Sequence, residues 1–137
     1  EVWQKVLEMV ENPLIGCGYN SFFLGDRLTR LWSEYTWQLT EAHNGFIEIY
    51  LNLGIIGLIS LVALLIVSLR AALKSVKSDI ETGTLKLAML VSAIAYNITE
   101  SAFRPGLLMY FVFVLVVIQM PRPVPLQPVG INGSIPA

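Results

Sequence analysis

His43 is the only histidine of the chain, and it stands directly before Asn44. Asn44, Glu48 and Asn52 then follow at four-residue spacing. An imidazole takes up and releases protons near neutral pH, and a neighbouring carboxylate extends it toward acid–base work. If the chain is helical from Asn44 onward, the three side chains share one stripe. Lipid does not tolerate a carboxylate, so that stripe must face protein or a watery cleft. Two readings stay open. In one, His43 and Asn44 cap a helix start and Glu48 snorkels to water. In the other, His43 does chemistry at a membrane mouth, and Asn44 and Glu48 bind its substrate.

A second group is "NITESAFR", where Asn97, Glu100 and Arg104 stand at i, i+3 and i+7. Glu100 and Arg104 are in the favourable order for an i, i+4 ion pair, although Pro105 biases Arg104 away from helix. The pair either closes a helix end or binds substrate, with Arg104 holding an anion at the outer surface. One histidine, with no spaced carboxylate pair beside it, gives no metal ligand set, and no cofactor motif is present. The single cysteine, Cys17, makes no internal disulfide, and a net charge of -1 gives no basis for nucleic-acid binding.

These groups must be positioned by membrane helices. Of the 137 residues, 55% are hydrophobic and 14% are charged, well below the roughly 25% charged of a soluble domain. Ile49–Leu69 is 21 residues without a charge. A helix of that length spans about 30 Å, one hydrocarbon core. Shorter apolar runs follow at 85–99 and 107–120, the first interrupted by Lys86 and Asn97. The expectation is an all-α polytopic membrane protein, with membrane helices near 45–69, 85–101 and 106–120 within 45–122. The proline-rich 123–137 reads as a disordered tail.

Residues 1–44 read as an outer-face loop that forms no core of its own. A short interfacial helix opens it, with Val2, Val6, Met9 and Val10 near one face, and Pro13 stops it. "PLIGCGYN" reads as a turn through Gly16 and Gly18; a lone G-x-G is weak evidence for a phosphate loop. Trp32 and Trp37 suit an interfacial belt. Arg70, Lys74, Lys77 and Lys86 cluster between the first two apolar runs, which places that link in the cytoplasm and residues 1–44 outside. The start at Glu1, without methionine or signal peptide, reads as the C-terminal part of a longer protein.

"AHNGFIEIYLNLGIIGL" resembles the A-H-N-x-x-[LI]-E…G-[IL]-[IV]-G-[LI] segment of the O-antigen ligase and polymerase family. "VWQKVLEMVENPLIGCGYNSFF" is similar to the stretch that precedes it there, and "NITESAFR" to a run in the late helices. The resemblance covers residues 1–120. It implies a metal-independent glycosyltransferase of bacterial surface-polysaccharide assembly in the inner (plasma) membrane, its site facing the periplasm or outside. The donor it implies is a glycan on polyprenyl (undecaprenyl) diphosphate. The acceptor is lipid A–core in ligases and another lipid-linked repeat in polymerases. His43 matches the family's outer-loop histidine, as general base toward the acceptor hydroxyl or as a hydrogen-bonding partner of the diphosphate. The diphosphate-binding arginines would lie largely upstream, and neither Arg27 nor Arg30 falls on a clear motif.

The rival classes are a glycan transporter or flippase and a non-catalytic membrane scaffold. A transporter needs polar groups near mid-bilayer. The first span has only Ser60 there, while its other polar groups gather at the outer end.

Overall fold

The computed structural model describes residues 2–35, 38–101, 103 and 107–118. Helices make up all the regular structure among them: α1 (Val2–Glu8), α2 (Gly25–Glu34), α3 (Gly45–Ser78), α4 (Ile80–Thr99) and α5 (Leu108–Val117). The chain is an all-α membrane-type protein, in which α3 is long and apolar enough to cross a bilayer. Arg104, Trp37 and the 123–137 tail lie outside the described residues.

α3 does not stop where its apolar run ends. It continues past Leu69 through Arg70, Lys74 and Lys77 to Ser78, giving 34 residues and about 51 Å of helix. Asp79 then serves both helices of a tight hairpin. Its N–H donates to Ser75 O at 2.8 Å, and its carboxylate accepts from Thr82 N at 3.2 Å. Gly83 lies directly on the Ser75–Val76 backbone, so α4 leaves the hairpin in close contact with α3. At the far end Gly45 lies against Asn97 in the same way. α5 packs on α4, where Phe103 and Phe113 meet at 4.7 Å between ring centroids. Leu61, Leu90, Ala93 and Val116 complete that core.

Inside α3 the helix breaks at Gly54, whose φ of 65° and ψ of -162° only glycine adopts readily. A break strands backbone groups, and at membrane depth these must be satisfied by protein. The segment Pro13–Gly18 does so. The Ile55 and Ile56 N–H groups donate to Pro13 O and Leu14 O at 2.8 and 3.2 Å. In return Cys17 and Gly18 donate to Leu51 O and Asn52 O at 3.3 and 2.9 Å. Asn12 shapes the insert, accepting from Leu14 N and Ile15 N with its side chain and from Gly16 N with its carbonyl. Gly16 and Gly54 have no room for a Cβ, because each faces the other strand's backbone. The turn read in "PLIGCGYN" is therefore a plug in a broken helix.

Residues 1–44 do form a core, contrary to the expectation from sequence. Val6, Phe22, Leu31, Leu39 and Ala42 are buried together with Leu51 of α3. The stretch holds two helices instead of one. α2 is amphipathic and turns Leu31 inward, and Lys5 bridges α1 to Glu34 at 2.7 Å. Trp3 ties α1 to the approach to α3 through Nε1, which donates to Ala42 O at 2.8 Å. The core was missed because its apolar residues are scattered through turns, with no helical period outside the two short helices.

Candidate functional site

The start of α3 and the end of α4 meet in register. His43 Nδ1 lies 3.2 Å from Glu100 Oε2. One residue on, Asn44 Nδ2 donates to Ile98 O at 2.9 Å, while Asn44 Oδ1 accepts from Phe46 N and Ile47 N, each at 3.1 Å. One more residue on, Gly45 abuts Asn97. Asn44 therefore caps α3 and also satisfies a terminal carbonyl of α4. His43 itself has a φ of 48°, the left-handed region, which non-glycine residues enter rarely and histidine and asparagine more than most. That turn sends the chain into the helix and leaves the imidazole about half exposed, at 52%.

Behind the imidazole is a closed polar frame. Glu48 is buried, and its Oε2 accepts from Ala42 N at 3.0 Å. Its Oε1 accepts from Asn52 Nδ2 at 3.1 Å, and Asn52 Nδ2 also reaches Glu48 O at 2.9 Å. Asn52 Oδ1 accepts from Ser21 N and Phe22 N at 2.8 and 3.1 Å. The Asn44–Glu48–Asn52 stripe faces protein, and Glu48 does not snorkel to water. Glu48 and Asn52 bond each other, and all three side chains bond nearby backbone, with Glu48 holding Ala42 and Asn44 holding Ile98 on either side of His43.

Glu41 completes the surroundings of the ring, with Oε1 3.8 Å from the same Nδ1. A carboxylate pair thus does stand beside His43, contrary to the reading from sequence. Glu41 was visible two residues away, but Glu100 arrives only through the α3–α4 hairpin. One ligand atom from each of Glu41, His43 and Glu100 lies within 4.8 Å of the others. Such a set can take a divalent cation or simply orient the ring. Arg27 of α2 is engaged away from His43: its guanidinium lies over Phe22 at 5.7 Å, meets Glu11 at 3.4 Å and reaches the Phe22 and Ser21 carbonyls. Burial pushes the Cys17 thiol up, against the lowering effect of Arg27. Cys17 Sγ lies 3.3 Å from Leu51 O, so the protonated thiol acts as a further tie to the break.

An apolar groove of about 540 Å³ runs down α3 beside the break, between Ile15, Ile49, Leu53, Ile56 and Leu64. It shares no residue with the His43 group.

Together these features define a membrane helical protein with a histidine–carboxylate group at the N-terminal end of its long helix. By comparison with known proteins, the chain is similar to the exopolysaccharide production protein ExoQ of Rhizobium meliloti (strain 1021), at 32% identity over 84 residues. The match covers 57% of this chain and 19% of that protein, so the chain spans about a fifth of the relative's length. No protein-family model matches the chain, and no solved structure does.

Proposed function

We propose that this chain carries part of the active site of a membrane glycosyltransferase of the O-antigen ligase and polymerase type. The donor is a glycan on polyprenyl diphosphate, presented at the outer face of the inner membrane. An acceptor hydroxyl oxygen attacks the anomeric carbon and forms the new C–O bond. The bond from that carbon to the diphosphate breaks, and polyprenyl diphosphate leaves with the electron pair. His43 takes the hydroxyl proton or, in the alternative, hydrogen-bonds the diphosphate. Arg104 is the residue of this chain suited to the diphosphate charge. Asn44 and Glu48 serve the site by holding its frame. Likeness to an exopolysaccharide production protein favours another lipid-linked repeat over lipid A–core as the acceptor.

One observation carries this reading: a half-exposed imidazole is braced at the mouth of a membrane helix, where a lipid diphosphate meets water. A transport route fits less well. The four backbone groups freed at Gly54 are consumed by the plug, and the Ser60 and Ser68 hydroxyls bond back to Ile56 O and Leu64 O of their own helix.

The test is His43→Asn in the full-length protein, because asparagine tolerates the left-handed backbone that alanine resists. Transfer from a lipid-linked donor should fall roughly 10²- to 10⁴-fold while the protein still accumulates in membranes. Residual transfer with His43→Gln favours the diphosphate role; none favours the base. A chelator should leave wild-type transfer intact. Loss that a divalent ion restores would make Glu41, His43 and Glu100 a metal site. Wild-type transfer in both His43 variants would overturn the proposal.

A further inference from the structure

We infer that Glu100 is the positioning residue of His43. Its carboxylate sets the tautomer and the direction of the ring, so that Nε2 faces the reacting hydroxyl. This rests on the reading of His43 as the proton acceptor.

The geometry is specific. An ionised carboxylate only accepts hydrogen bonds, so the 3.2 Å contact puts the proton on Nδ1. The lone pair is then on Nε2, which has no protein partner among the described residues. One N–H makes one short bond, and Glu41 is more distant at 3.8 Å. The backbone around the pair is braced on both strands. The Asn44–Ile98 bond fixes how far α4 advances along α3, and Gly45 against Asn97 fixes how closely the two pack. Glu100 follows directly as the residue that ends α4, with its N–H bonded to Tyr96 O at 2.9 Å. A one-residue slip in this register would carry the carboxylate away from the ring.

In the transfer step the acceptor O–H bond breaks and its proton goes to Nε2, while the oxygen's electron pair forms the glycosidic bond. The imidazolium that results is held by the Glu100 charge, and Glu100 itself takes no proton. Glutamine at position 100 keeps the shape but removes that charge, and its amide can present a donor to Nδ1, which stabilises the wrong tautomer.

The experiment measures kcat and donor KM for Glu100→Gln, Glu100→Asp and His43→Asn, each per quantity of folded full-length protein in detergent. Glu81→Gln, at the opposite end of α4, is the control. Glu100→Gln should lower kcat roughly 10²- to 10⁴-fold with donor KM held within about twofold, and Glu100→Asp should recover part of it. The double variant His43→Asn/Glu100→Gln should be no slower than His43→Asn alone, because the two act as one unit. A raised KM at unchanged kcat would make Glu100 a substrate contact and overturn the inference. So would wild-type kcat in Glu100→Gln while His43→Asn is inactive. If His43→Asn kept wild-type transfer, the base reading would fail first. Should Glu100→Gln not accumulate, Glu100→Asp carries the test, since a displaced carboxylate must still lower kcat without moving KM.

Discussion

Asn52 joins the outer core to the membrane helix with a single amide. Its oxygen takes two backbone N–H groups, from Ser21 and Phe22, and its nitrogen holds Glu48. All of this is buried or nearly so. Replacing Asn52 by leucine would leave the two inward N–H groups of Ser21 and Phe22 without partners. A buried polar group left unpaired costs about 1–3 kcal/mol, so Asn52→Leu should lower stability by roughly 3 kcal/mol or more. Tyr50→Leu, off the stripe, should stay within about 1 kcal/mol. Thermal unfolding of the detergent-solubilised protein distinguishes the two; equal effects would mean that the frame does not hold His43. The four-residue spacing of Asn44, Glu48 and Asn52 was enough to put them on one stripe, but left open whether it faced protein or a watery cleft. Their partners were not legible, because Ser21 and Phe22 lie some 30 residues away and reach the stripe only through the plug. Glu100 was hidden in the same way: its sequence neighbour at i+4 is Arg104, and nothing local points to His43.

At the scale of elements, the plug at Gly54 holds α3 together across its break. Gly54 is a site of close backbone approach. The break itself was not legible. A glycine costs a helix only about 1 kcal/mol relative to alanine, so it does not force a break by itself. The break is stable because Pro13–Gly18 supplies replacement bonds. Gly54→Ala would incur both a left-handed backbone and a Cβ against the Leu14 backbone. Gly25 gives the control. Its φ is 61°, but nothing lies within 4 Å of its Cβ position. Gly25→Ala should therefore cost about 1–2 kcal/mol, the conformational part alone. Gly54→Ala should exceed it by several kcal/mol or prevent accumulation in membranes, since neither backbone can yield without losing the exchanged bonds. Comparable melting temperatures for the two variants would mean that the plug is loose.

The three apolar runs of the sequence became helices α3, α4 and α5, of which α3 alone among the described residues is long and apolar enough to cross a bilayer. Their ends were less legible. α3 runs nine residues beyond Leu69, since Arg70–Ser78 is made of good helix formers that need no lipid to stay helical. That extension has a consequence for the whole molecule. It adds about 13 Å of helix that starts with Arg70 at the edge of the apolar segment and carries Lys74 and Lys77 beyond it, at the end opposite His43. Positive charge held next to a membrane helix is retained in the cytoplasm, so the His43 end should be outside. The arrangement can be read by labelling single cysteines in cells with a membrane-impermeant maleimide. Glu8 and Lys77 are suitable positions, both exposed and at opposite ends of the molecule. Both variants are made in a Cys17→Ser background, so that only the introduced thiol reacts. Glu8→Cys should label in intact cells, and Lys77→Cys only after the membrane is opened. The reverse pattern would put His43 in the cytoplasm, where a nucleotide sugar is available and an outward-presented lipid diphosphate is not. The proposed donor would then have to be abandoned even if His43 proved essential.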